Sequence, residues 1–312
     1  MQRNVNESRE TTDPKARDCA TFVTHIWTPE VAEHYARLQR EAGPVLDVFL
    51  VYQQGAEEQT LPQGMQPDLV VRMADSAQHF PLRYEEFLER PNPWGYVDLV
   101  WLTAFLSPRL AAYERFWLVE YDVDFSGDWA KFFGAAATYA GDLLTTRIRP
   151  LSADPTFHFA PIYRQPASAP ADPLLVFMPI SRVSRRLLDH YRLTLLQPGW
   201  HGHFEMILPS MARADGFLVA EIGGHDAQAP AERRGLHYDG TFAELQSMKT
   251  THAYRPPRGF RYYGAAPHRF RQPDRIYHPI KVGMSLRRRL HMRWLPQLQQ
   301  LRAFSRWLRG KR

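Results

Sequence analysis

The feature that most constrains this chain is its opening alternation of pattern. Cys19 to Trp27 (CATFVTHIW) is β-branched and aromatic, which predicts a strand. Pro29 then opens a helical stretch through about Glu41, proline being well suited to a first helical turn. Gly43-Pro44 breaks that helix, and Val45 to Tyr52 again has strand character. Later come a short strand over Asp68 to Arg72, a helix over Tyr96 to Ser107 that is apolar on most faces and therefore buried, and an apolar strand over Phe116 to Tyr121. This strand–helix–strand order predicts an α/β fold with a mixed, mainly parallel sheet flanked by helices. In the second half, strands are expected over Leu174 to Met178 and Gly216 to Glu221, and helices over Ser181 to Tyr191 and His203 to Arg213. Residues 161–173 have loop composition, and 223–275 are irregular, with many Gly, Pro, His and Arg.

Charge divides the chain unevenly. The net charge is +6, from 39 Lys+Arg against 33 Asp+Glu. Residues 285–312 hold nine of those basic groups and no acid, so the remainder is slightly acidic. The basicity belongs to an appendage, which argues against a nucleic-acid-binding fold. Residues 1–17 are polar and read as a disordered arm, 18–285 as the folded domain, and 286–312 as a basic amphipathic helical tail. In that tail Trp294, Leu298, Leu301, Phe304 and Leu308 recur at helical spacing among arginines. Such a helix suits an anionic membrane surface, or packs back on the acidic body. No apolar run approaches the roughly 18 residues needed to span a bilayer. The start is too polar for a signal peptide, and the single cysteine, Cys19, leaves no disulfide framework. A cytoplasmic protein is expected, peripheral on the inner face of the membrane if the tail binds there.

The chemistry concentrates in FWLVEYDVDFSGDW, Phe116 to Trp129. Asp122 and Asp124 are two apart, so in an extended chain both side chains face one way. They follow an apolar strand at its carboxyl end, where open α/β sheets bind ligands. Paired carboxylates repel unless a cation lies between them, and as hard ligands they suit magnesium or manganese. A solvated turn is the alternative. A calcium loop is excluded because its twelfth position is Phe133, where a glutamate is needed. Ser126 or Asp128 is expected to cap a helix starting at Trp129.

This segment, with Trp117, Glu120, Tyr121, Asp122 and Val123, then Gly127 and Trp129, and later Gly141-Asp142-Leu143-Leu144-Thr145, resembles the metal-binding region of GT-A-fold glycosyltransferases. The opening through DVFLVYQ is similar to the first strand–helix–strand of that fold. The resemblance implies transfer of a sugar from a UDP- or GDP-linked donor to a glycan or lipid-linked acceptor, as in building a surface polysaccharide. It implies a Mn2+ or Mg2+ ion on the D-x-D acids, with Asp124 the direct ligand and Asp122 on the ribose or a water-bridged metal. It implies a late histidine, here His278, completing the metal site, and Lys281 against a phosphate. Glu205, near a helix start in GWHGHFEMILPS, matches the carboxylate that acts as base in many inverting members; a plain helix-start charge is the alternative.

His201 and His203 form an H-x-H pair without an evident third zinc ligand. Lys249, Arg255 and Arg258 are further phosphate candidates. Phosphate-loop, dinucleotide-binding and nucleophile-elbow motifs do not occur. Two other functions compete with a transferase: a non-catalytic glycan- or partner-binding protein on a degenerate transferase fold, and a metal-dependent phosphoesterase.

Overall fold

A computed structural model describes residues 17–58, 60–89, 95–155, 157, 159–241, 250–254 and 263–280. The tail at 286–312, Lys281, Lys249, Arg255, Arg258, and the arm except Arg17 lie outside the described residues. No helix among the described residues is long and apolar enough to cross a membrane.

In chain order the elements are β1 (Asp18–Thr24), α1 (Pro29–Ala42), β2 (Asp47–Gln54), β3 (Leu69–Arg72), α2 (Pro81–Glu89), α3 (Asp98–Phe105), β4 (Arg115–Glu120), β5 (Asp124–Phe125) and α4 (Trp129–Ala137). Then follow β6 (Leu143–Pro150), β7 (Leu174–Ser184), α5 (Arg185–Leu195), α6 (Phe204–Ala214), β8 (Val219–Glu221) and β9 (Ile276–Tyr277). Seven strands form one sheet in the order β3-β2-β1-β4-β7-β6-β8, and β5 pairs with β9 in a second, two-stranded sheet. β3, β2, β1 and β4 are mutually parallel, and β6 is parallel to β8. Within the seven-stranded sheet of the described residues, β7 alone runs against its neighbours, β4 and β6. The expected α/β class with a mainly parallel sheet is what the chain adopts.

Period-two alternation distributes the core to both faces. Ala20 and Phe22 of β1 and Trp117 and Val119 of β4 join residues of α1 and α4 in one apolar cluster. Cys19, Val23, Phe116 and Leu118 join α3, α5 and α6 in the other. α3 is buried on nearly every side, as its composition predicts, and its one acid, Asp98, receives Arg83 Nε from α2 at 3.1 Å. Helix starts follow local chemistry: the side chain of Thr28 caps α1, Asp128 caps α4 and Ser184 caps α5.

One departure from the sequence reading has an identifiable cause. β7 does not end at Met178 but continues to Ser184, and α5 begins only at Arg185. Pro179 looks like a strand breaker, since it cannot donate to a ladder. Here it falls just outside the β4 pairing, which covers Ile180 to Ser184, and within a register slip against β6. The sequence pattern also assigns no element to α2, β6 or β9.

Candidate metal centre

β4 is buried along its middle and ends at Glu120. There the chain turns sharply, with the Val123 N–H donating to the Glu120 carbonyl at 2.9 Å. It re-enters as β5, which β9 holds antiparallel through Asp124 opposite Tyr277 and Phe125 opposite Ile276. This pairing places the next residue after β9, His278, beside the turn. The Ile280 N–H donates to the Asp122 carbonyl at 2.7 Å and fastens the same corner.

The turn separates the two acids of the D-x-D sequence. Extended geometry would have aligned them, but Tyr121 and Asp122 occupy a turn, so the alternation is broken between Asp122 and Asp124. Asp124, expected as the direct metal ligand, is fully buried with one carboxylate oxygen bound inside the protein, and it is not among the three residues whose ligand atoms lie together. Its Oδ1 accepts from Arg37 Nη1 and from the Phe125 N–H, both at 2.7 Å. Arg37 itself uses Nε on Glu41 and Nη2 on the carbonyls of Phe125 and Gly127. Glu41 Oε2 then accepts the Trp129 N–H at the start of α4. His34, one turn earlier on α1, contacts the Val123 carbonyl through Nε2 at 2.7 Å. Asp124 therefore pins α1 to the β4–α4 connection.

Asp122 belongs to a different group. Glu120, Asp122 and His278 each present a ligand-type atom, all within 4.8 Å of one another. His278 and Asp122 are almost buried, and Glu120 is half-buried. His278 Nδ1 lies 2.6 Å from the Ala253 carbonyl, an atom that only accepts. In the neutral ring Nδ1 therefore carries the proton, and Nε2 turns its lone pair toward Asp122 Oδ1 at 3.6 Å. A backbone carbonyl holding the distal N–H is the usual arrangement for a histidine that ligates metal. Two carboxylates and an imidazole suit Mn2+ or Mg2+ with a nitrogen ligand, or zinc.

Phe177 on β7 connects this group to the second-half residues. Its ring meets those of His278 at 5.1 Å, His252 at 4.8 Å and Tyr254 at 4.6 Å. The next residue, Met178, donates its N–H to Glu205 Oε1 at 2.8 Å. Glu205 sits in the first turn of α6, buried, and burial pushes its carboxyl up to about 7 against the pull of the Met178 N–H and Arg149. His203 caps α6 by accepting the Glu205 N–H, and its ring stacks on Phe159 at 4.1 Å.

The H-x-H pair is divided. His201 Nδ1 pairs with Glu86 Oε1 at 2.9 Å, away from the helix-capping ring of His203. Alternate residues across a helix start serve different partners, so the spacing forms no zinc pair.

The sequence reading placed Glu120 in the motif without giving it a function, and it missed Arg37 altogether. One signal was present for Arg37. The buried face of α1 is Val31, His34, Arg37, Leu38 and Ala42, so a cation falls on the stripe that should be apolar. Cations on a core-facing stripe need a buried partner. No protein-family model matches this chain, and no curated protein matches it.

Proposed function

We propose that this protein is a glycosyltransferase of the GT-A class, taking sugar from a nucleotide-linked donor with the help of a divalent cation. The observation that carries the reading is the Glu120, Asp122 and His278 group at the carboxyl end of the central strand β4, with the His278 lone pair held toward a carboxylate. Two carboxylates and an imidazole lone pair set this close favour a positive charge among them. The mixed, mainly parallel sheet agrees with the resemblance seen in the opening and carboxylate segments. When bound, the cation supplies positive charge where the departing nucleoside diphosphate gains negative charge.

The chain's own residues do the rest. Glu120, Asp122 and His278 hold the cation, in place of the D-x-D pair expected from spacing. Glu205 is the base that takes the acceptor hydroxyl proton at a carboxylate oxygen. A carboxyl raised to about 7 is suited to that work near neutral pH, where its ionised and protonated forms are both accessible. The Met178 N–H keeps Glu205 Oε1 directed to β7, next to the Phe177 ring that packs on His278. Lys281 is proposed for the phosphates, and the basic segment 286–312 for an anionic membrane surface that presents a lipid-linked acceptor.

The test is incubation with a panel of UDP- and GDP-sugars, with and without Mn2+. Metal-dependent donor hydrolysis or transfer supports this reading. Phosphatase activity on simple phosphoesters identifies a hydrolase instead, and nucleotide-sugar binding without turnover identifies a non-catalytic binding protein.

A further inference from the structure

β6 does not run straight. Its pairing with β7 slips between Thr146 and Arg149, and within that slip Arg147 has φ 59°. Few residues other than glycine adopt this left-handed region, and such outliers persist only where surrounding contacts enforce them. The irregularity aims the Arg147 side chain into the protein, where none of it is exposed. Its Nη1 donates to the Gly240 carbonyl at 2.7 Å and approaches Asp226 Oδ2 at 3.3 Å. Its Nη2 donates to Thr250 Oγ1 at 2.6 Å and to the His252 carbonyl at 3.0 Å. The Tyr238 ring lies 4.6 Å from the guanidinium carbon, and the Tyr238 hydroxyl accepts the Arg147 N–H at 3.1 Å.

The strip that Nη2 grips is the one that holds His278. The His278 N–H donates to the Thr251 carbonyl at 2.9 Å, and the Ala253 N–H returns to the His278 carbonyl at 3.0 Å. The imidazole itself is turned by the Ala253 carbonyl. A strained backbone and a buried charge are both costly, and both converge on residues 250–253. We infer that Arg147 is a positioning residue for the metal centre, fixing through Thr250 and His252 the Ala253 carbonyl that orients His278. This rests on the metal reading above. Groups that hydrogen-bond a ligating histidine commonly change metal affinity 10- to 100-fold, and Arg147 acts on the strip that carries such a group.

Mn2+ affinity of the full chain, measured by titration calorimetry at a temperature where melting curves show each variant folded, tests it. Arg147→Lys keeps the charge but loses the planar fork that serves two acceptors at once. Thr250→Ala removes one of those acceptors, and Thr250→Ser keeps the hydroxyl. Arg147→Lys and Thr250→Ala are expected to weaken Mn2+ binding about tenfold or more. Thr250→Ser is expected to stay near wild type, and the double variant to be no weaker than the worse single one, because both act through one strip. Wild-type affinity in folded Arg147→Lys and Thr250→Ala overturns the proposal while leaving the metal centre standing. If Arg147→Lys does not fold, Thr250→Ala against Thr250→Ser decides alone. Wild-type protein that binds Mn2+ no better than His278→Ala removes the metal centre and this role with it.

Discussion

Arg37 Nη1 and Asp124 Oδ1 lie 2.7 Å apart with both side chains almost wholly buried, so the second acid of the D-x-D sequence is neutralised from α1. Removing one partner of such a pair strands the other charge, typically at a cost of about 3–5 kcal/mol. Asp124→Asn is therefore expected to lower stability by that order in urea melts while leaving Mn2+ binding in the folded fraction. Loss of metal binding with an unchanged melting midpoint would return Asp124 to the metal site.

Asp122 should behave in the opposite way. It lies with Glu120 and His278, ligand atoms within 4.8 Å of one another, and so belongs to the proposed cation-binding group. Asp122→Asn, Glu120→Gln and His278→Ala are each expected to abolish the rise in melting temperature that Mn2+ produces, without comparable loss of metal-free stability. A ligand in hundredfold excess over its Kd contributes about 2.7 kcal/mol, which such a scan resolves readily. A full Mn2+ shift in all three variants would exclude the site.

Glu205 carries a pH signature of its own. Its folded value of about 7 stands above the ordinary 4.5 because the carboxyl is buried. Between those two values the native state holds a proton that the unfolded state has released, so stability falls as pH rises through this window and levels off above it. Glu205→Gln cannot ionise and escapes that loss. Its stability relative to wild type is expected to climb by up to about 3 kcal/mol from pH 4.5 to pH 7.5, measured by denaturant melts. A constant difference would show an unperturbed carboxyl.

The same substitution tests the chemistry. A general base typically contributes about 10²–10⁴-fold in rate. Transfer by Glu205→Gln is expected to fall within that range at saturating donor, with Mn2+ and nucleotide affinity kept and the rising limb near pH 7 gone. Undiminished turnover would place the base elsewhere.

The face that supports α4 offers a purely structural comparison. Trp129 stacks on Phe133 at 5.5 Å and meets Phe125 and Phe132 edge-on or tilted. Trp129→Ala should cost about 3–5 kcal/mol in melts, with a broad loss of activity that follows the folded fraction. Selective loss of metal affinity in fully folded protein would contradict that view.

The basic segment 286–312 is tested by vesicle flotation of the full chain against a 1–285 truncation. Binding to anionic but not neutral vesicles, lost on truncation and weakened by salt, is the expected outcome. Equal flotation of both proteins would remove the membrane role.

Much of the fold was legible because its signals are local. The first strand and helix, the all-buried α3 and the Asp128 cap each depend on residues within a few positions. The α/β class followed from their order. The candidate site was legible only in outline. Asp122 and His278 were both named from sequence, and the structure sets them 3.6 Å apart across 156 residues through a two-residue pairing, β5 with β9. That pairing is too short to leave a periodic pattern in either segment.

What the sequence by itself determined was the α/β order of the first strands and helices, and that carboxylates cluster beyond a buried strand, because backbone periodicity and side-chain polarity are properties of neighbours along the chain. What only the tertiary structure decided was which carboxylate does what. A single turn at Tyr121–Asp122 sent Asp124 inward to Arg37 and left Asp122 with Glu120 and His278. Charge in a protein interior is assigned by whichever partner arrives through space, since an unpaired buried ion is too costly to keep. Arg37 arrives from 87 residues away.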